Sequence, residues 1–192
     1  DPEPFSDDED RATELGIRAL PLSAGGESLY FGLAGSNSTD GRATIDYLDP
    51  AKEEFLEYDV TKLIYQLATV KKPVVAWLSS LPMSGGMDPM TGQPSEPWFV
   101  MVQAQELFTV RNLDATITSI DPDVDVLVLV HPKNLPPAAL FAIDQYALGG
   151  GHLLVFVDPD ASQDTSAVEP NNPMAAMGAD RSSNLEPLFK AW

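Results

Sequence analysis

The sequence predicts an α/β fold, a parallel sheet with helices on both faces, preceded by part of a smaller α/β unit. Three observations carry this. Residues Pro73–Leu78, Val124–Val130 and His152–Val157 form three apolar runs, nearly all Val and Leu. Such runs suit strands buried on both faces, as in a parallel sheet covered by helices. The segments between them have helical spacing, and each run ends in polar, proline-bearing residues.

The elements follow in order. Ser6-Asp7-Asp8-Glu9 matches a capping box, so a helix should run to Leu15, with Gly16 as the left-handed residue after it. Ile17–Leu22 reads as a strand, Gly25-Gly26 as a turn, and Ser28–Gly35 as the returning hairpin partner. Ala43–Leu48 alternates and reads as a third strand. Asp49-Pro50 starts a helix over Ala51–Glu57. Asp59 then caps a second helix, with Val60, Leu63, Ile64, Leu67 and Ala68 on its buried face. These elements make residues 1–70 one partial unit.

Residues 71–160 should form the parallel-sheet core. After the strand ending at Leu78, Met83–Gln93 reads as a long exposed loop rich in Gly, Met, Pro and Ser. Ser95-Glu96-Pro97 starts a helix carrying Trp98, Met101, Ala104 and Phe108, and Thr109–Leu113 reads as an edge strand. Pro136–Leu148 is the second crossover helix, and Gly149-Gly150-Gly151 ends it. Right-handed crossovers give the strand order 2-1-3-4, the flavodoxin-like arrangement. Residues 161–192 read as a polar loop and a C-terminal helix. The abrupt Asp1-Pro2-Glu3-Pro4 start and the helical pattern at Trp192 read as the ends of an excised fragment.

Composition excludes several functions. Acidic residues outnumber basic ones 29 to 11, a net charge of −18. That argues against nucleic acid, which needs a basic footprint, and against direct adhesion to an anionic membrane. There is no cysteine, so thiol catalysis, disulfides and thiolate metal sites are excluded. Cysteine-free chains fit an oxidising compartment. With His131 and His152 as the only histidines, a multi-histidine metal site is excluded, and no cofactor is expected. No apolar run reaches the ~18 residues of a membrane span.

Ligands of open parallel sheets bind beyond the carboxyl ends of the strands. The residues there are Ser79, Ser80, His131, Asp158 and Asp160. Asp158-Pro159-Asp160 offers carboxylates for a cation or a base, or simply a capped turn. His131 offers a general base or ligand contact, or a hydrogen bond to a neighbouring loop. Ser79-Ser80 lacks the Gly-x-Ser-x-Gly elbow of a nucleophile. The triple glycine follows a helix and precedes a strand, the reverse of a phosphate loop. Met83, Met87 and Met90 offer adaptable apolar contact for a partner.

Several blocks carry a family resemblance: Phe55–Tyr65, Lys71-Lys72-Pro73-Val74-Val75, Val124–Lys133, Ala142–Tyr146 and Gly150–Pro159. Asp1-Pro2 and Tyr30-Phe31-Gly32-Leu33 fit the same pattern. Over roughly residues 1–160 the chain resembles the extracytoplasmic domain of gliding-motility-type auxiliary proteins of ABC transport systems. The resemblance implies a core similar to the class I glutamine-amidotransferase fold, without its chemistry, since that fold's cysteine nucleophile is missing. It implies a periplasmic location at the outer face of the bacterial cytoplasmic membrane, with an anchor of transmembrane helices outside these residues. It implies permease and ATPase subunits as partners, with a homodimer also open. Related sequences place Ser then Pro where this chain has Pro136-Pro137, which loses an N-cap worth about 1 kcal/mol.

The expected function is therefore a non-catalytic interaction or ligand-binding domain. The alternatives are a hydrolase or transferase built on His131, Asp158 and Ser79 or Ser80, and a small-molecule sensor using the same edge.

Overall fold

The computed structural model describes residues 6–22, 28–87, 92–164 and 180–192. The chain divides into two compact units, Asp1–Lys71 and Lys72–Trp192.

The first unit begins with α1 (Asp7–Glu14), capped by Ser6 as expected: its side chain accepts the Glu9 N–H. The Glu9 carboxylate accepts from the Tyr30 hydroxyl at 2.9 Å. The expected long hairpin partner is two strands. β1 (Ala19–Pro21) pairs antiparallel with β2 (Ser28–Tyr30), and β3 (Leu33–Ser36) pairs with β4 (Arg42–Ile45). The break falls at Gly32. A Cβ there would lie 2.6 Å from the Ile45 carbonyl and 2.9 Å from that of Asp46, so only glycine lets the two backbones pass.

Pro50–Phe55 is a 3-10 helix that Asp49 starts by accepting the Ala51 N–H. α2 (Leu56–Ala68) follows without the expected second start. Asp59 sits in its first turn, where the helix dipole favours a carboxylate, rather than capping it. Leu63 is buried, whereas Ile64, assigned to the inner face from its spacing, is exposed. The Asn37 side-chain amide donates to the Leu67 carbonyl at 2.7 Å and closes the last turn.

The second unit holds the parallel sheet. Its strands are β5 (Val74–Ser79), β8 (Thr109–Leu113), β9 (Val126–Val130) and β10 (His152–Phe156), in the order β10-β9-β5-β8, all parallel. This is the expected order 2-1-3-4. Gly86–Met87 (β6) and Pro94–Ser95 (β7) form a small antiparallel pair between β5 and α3 (Phe99–Leu107). The expected irregular loop at Met83–Gln93 is thus partly structured: Met83 is buried, and its carbonyl accepts the Trp98 N–H at 2.9 Å.

One sheet face carries Val74, Ala76, Leu78, Leu127 and Leu129. They pack with Ile143 of α4 (Pro137–Leu148) and with Leu185 and Leu188, the latter on α5 (Glu186–Ala191). Ile117 and Ile120, in the helix-free crossing from β8 to β9, lie on the same cluster. α3 buries Met101 and lies beside β8, placed on the opposite face by a right-handed crossover. Pro136 caps α4 with no side-chain hydrogen bond, so the N-cap missing from the sequence is missing in the structure.

Two polar devices set the strand ends. The Asp125 carboxylate accepts the Val74 N–H at 2.7 Å, pinning the start of β5. Tyr146 donates to the Val124 carbonyl and accepts the His152 N–H, joining the starts of β9 and β10. Its ring leaves no room for a Cβ on Gly151, the physical need behind that glycine.

Leu129 is fully buried and Phe141 is 62% exposed. Leu129→Ala should lower unfolding stability by about 3 kcal/mol in urea titration. Phe141→Ala should stay within about 0.5 kcal/mol.

Burial raises the Tyr146 phenol above its ordinary value, only partly offset by the His152 N–H. A raised phenol stabilises the fold below about pH 10 and loses that contribution as pH rises through the folded value. Thermal melts of Tyr146→Phe should therefore lose less stability than the parent on going from neutral to strongly alkaline pH.

Candidate functional site

The chain passes from β5 outward to β8, then crosses back over β5 to β9 and β10. The order therefore reverses between β5 and β9, and the crevice beyond their carboxyl ends is where open α/β sheets take ligands. Ser79 and Ser80 end β5 on one side of that crevice. His131, Pro132 and Lys133 follow β9 on the other.

Ser79 Oγ accepts the Leu81 N–H at 3.0 Å in a local turn. Ser80 Oγ accepts the Lys133 N–H at 3.3 Å and so bridges the crevice. His131 is held harder. Its N–H donates to the Phe156 carbonyl at 2.8 Å, its φ is +49°, and its side chain is 1% exposed. A non-glycine residue in the left-handed region costs of the order of 1 kcal/mol and persists only where its surroundings fix it. Asn134, three residues on, is left-handed as well, with φ +52°.

His131 Nε2 lies 3.3 Å from Asp164 Oδ2. An ionised carboxylate only accepts, so Nε2 is the donor in this contact. Nδ1 is buried and has no hydrogen-bond partner among the described residues. The same Asp164 oxygen lies 2.5 Å from Lys133 Nζ, and that ammonium also donates to the Asp180 carbonyl. The Asp164 side chain is 1% exposed and that of Lys133 13%. A carboxylate buried that deeply needs a cation beside it. Lys133 supplies the charge and His131 a second donor.

Asp158 and Asp160 stand apart from this network, past the end of β10. Asp158 Oδ1 accepts the Asp160 N–H at 2.9 Å, the turn reading of that tripeptide. Its backbone N–H donates to Ser183 Oγ, and its carbonyl accepts the Ser183 N–H. Asp160 pairs with Arg181 at 3.0 Å in solvent. Asp180, one residue earlier, is held below the usual carboxylate range mainly by hydrogen bonds from Ser182, with Lys133 adding to the effect. Of the methionines, Met83 is buried, Met87 is 71% exposed, and Met90 lies outside the described residues.

The structure thus brings Ser80, His131 and Lys133 together and separates them from the Asp158–Asp160 turn. Sequence reasoning missed Asp164, the residue on which the cluster closes, because it lies in a polar stretch without pattern. The available signal was Lys133: a lysine three residues past a buried strand, in a chain with few basic residues, points to a nearby acid.

The cluster holds part of the apparatus of acid–base chemistry. An imidazole oriented by a carboxylate resembles the base-and-orienter half of a nucleophilic triad. The missing half is a hydroxyl on Nδ1. Among the described residues, Ser79 and Ser80 hydroxyls engage backbone N–H groups instead. No group of three or more His, Asp or Glu side chains among the described residues is arranged to hold a metal ion.

Residues 72–192, the whole second unit, match the family model described as ABC-type uncharacterized transport system, an auxiliary component of such systems. No curated protein and no solved structure matches the chain.

Removing one partner of a buried ion pair leaves the other charge uncompensated. Lys133→Met should cost about 3 kcal/mol in chemical denaturation. The double variant Lys133→Met/Asp164→Leu should recover most of that loss. Equal losses in the single and double variants would show that Lys133 acts by packing rather than by charge.

Proposed function

We propose, on the premise that this chain belongs to the ABC-type uncharacterized transport system family, that it is a non-catalytic extracytoplasmic domain of such a system. Its role is interaction or ligand binding, and its partners are the system's permease and ATPase subunits. It resembles the gliding-motility-type auxiliary proteins, and its anchor is a set of transmembrane helices outside residues 1–192. Among the described residues no helix is long and apolar enough to cross a membrane.

The observation that carries this reading is the family match over the entire parallel-sheet unit, the unit that contains the crevice. Two features support it. The His131–Asp164–Lys133 cluster satisfies its charges internally and presents no activated hydroxyl. The absence of cysteine fits an oxidising compartment and removes the nucleophile of amidotransferase-like chemistry.

The second reading, a hydrolase or transferase at the same edge, is favoured by one observation, the carboxylate on His131 Nε2. It needs a nucleophile. Ser80 is the nearest hydroxyl in the crevice by connectivity, since it touches Lys133.

Location is testable because the chain is cysteine-free. Leu148→Cys, at a position 70% exposed, should react with a membrane-impermeant maleimide in intact cells. Labelling only after the inner membrane is permeabilised would overturn the extracytoplasmic reading. The ATPase and permease should co-purify with the chain from detergent-solubilised membranes. Ser80→Ala should leave transport unchanged, whereas its loss would promote the enzyme reading.

A further inference from the structure

Two segments that follow β10, Asp158–Asp164 and Asp180–Ser183, form a strap at the crevice. They hold each other. The Ala161 N–H donates to the Arg181 carbonyl at 3.0 Å, the Ser183 N–H donates to the Asp158 carbonyl at 2.8 Å, and Arg181 pairs with Asp160. The strap meets the sheet through charge. Asp164 places one carboxylate oxygen on Lys133 Nζ and His131 Nε2, and the same ammonium donates to the Asp180 carbonyl. From Asp158 to Asp164 the buried side chains are those of Ala161 and Asp164, so apolar burial there amounts to a methyl group.

Three physical points bear on what this contact does. A buried ion pair stabilises a fold little more than apolar side chains of the same volume, so stability alone is a weak reason to build one. A segment with few buried apolar contacts is among the first to open in native-state fluctuations. His131 and Asn134 are both left-handed, a conformational cost borne at the end of the sheet where open α/β folds bind ligands. A polar, weakly packed strap thus lies at the ligand-binding end of the sheet, and the group it inserts there is a carboxylate.

We propose that Lys133 and His131 form a carboxylate-binding site, which Asp164 fills from within the chain and which takes a small monocarboxylate when the strap lifts. The ammonium supplies the opposite charge, and the imidazole N–H supplies direction. Ligand entry and strap release are then one equilibrium, because ligand and Asp164 compete for the same two donors. The net charge of −18 suits such an arrangement. It repels free anions, whereas a carboxylate carried by the chain is already in place. The strap therefore holds the site closed until the monocarboxylate is abundant. The inference rests on the ligand-binding reading above and adds to it a ligand class and a competitor.

The test has two arms. Asp164→Ala keeps the Cβ and removes a group the size of formate. Its thermal midpoint should fall below that of the parent, and formate should raise it saturably, beyond sodium chloride at equal ionic strength. Asp164→Ala/Lys133→Met should show no formate response beyond that of chloride. The second arm keeps Asp164 and uses the absence of native cysteine. Ala161 is 3% exposed, so Ala161→Cys reacts with a maleimide only when the strap opens. Formate binds the open form alone, so with a Kd of about 50 mM, 500 mM formate should speed labelling about 11-fold over equal sodium chloride. Adding Asp164→Asn to Ala161→Cys should speed labelling without formate.

A midpoint of Asp164→Ala that answers formate and chloride alike would overturn the site. Labelling of Ala161→Cys that formate leaves at the chloride rate would overturn the competition and make Asp164 a fixed structural tie. If Asp164→Ala does not fold, the labelling arm decides alone. Neither readout involves the transporter. A negative result here leaves the family reading standing, whereas a formate response without co-purification of ATPase and permease strikes the transport reading alone.

Discussion

Everything in the second unit depends on burying β5 and β9 on both faces. Leu78, Leu127 and Leu129 are essentially inaccessible, and so is Ala76. Strands buried this way have no room for polar side chains along their length. Polar chemistry is therefore pushed to their ends. Asp125 pins the amino end of β5, and Ser80, His131 and Lys133 gather at the carboxyl ends. The crevice between β5 and β9 follows from topology, since the chain must leave β5 in opposite directions to build the two halves of the sheet.

Placing charge at that crevice has a structural cost, and the cluster shows how it is offset. Asp164 is nearly inaccessible, yet it is held by an ammonium and an imidazole on one oxygen. Lys133 reaches both Asp164 and the Asp180 carbonyl, so it ties two segments that follow β10 to each other. Backbone pairing of Ser183 with Asp158 and of Ala161 with Arg181 extends the same attachment. These bonds carry the chain to Leu185 and Leu188, which seat in the core. The left-handed backbone at His131 is thus fixed from three sides: by β10, by Asp164 and by the turn toward Lys133.

The surface divides differently from the core. α4 is apolar almost all round, and its Phe141 and Leu148 remain exposed while Ala139, Ala142 and Ile143 are buried. β10 repeats this pattern at the sheet edge. Membership of an auxiliary family of a transport system accords with a unit that presents such surface to others. Against this stands the charge of −18, which disfavours indiscriminate association and leaves contact to surfaces whose partners complement them in detail.

The architecture was legible in the sequence because its causes are local. Continuous Val and Leu runs mark buried parallel strands, Ser6 and Asp49 mark helix starts, and handedness allows little besides the order 2-1-3-4. So were the crevice residues Ser79, Ser80 and His131, since strand ends can be read from where apolar runs stop. The misreadings share a different cause. The Ser28–Gly35 segment splits at Gly32 because another backbone passes there, Met83 is buried where its carbonyl bonds the Trp98 N–H some fifteen residues on, and Ile64 is exposed despite its spacing. Asp164 joins His131 and Lys133 across more than thirty residues, through a fold-back that no periodicity encodes. Local pattern reports which side chains avoid water and where the backbone can turn. Only tertiary structure decides which distant charge is brought into the dry space at a strand's end, because that pairing is set by how the chain returns over the sheet.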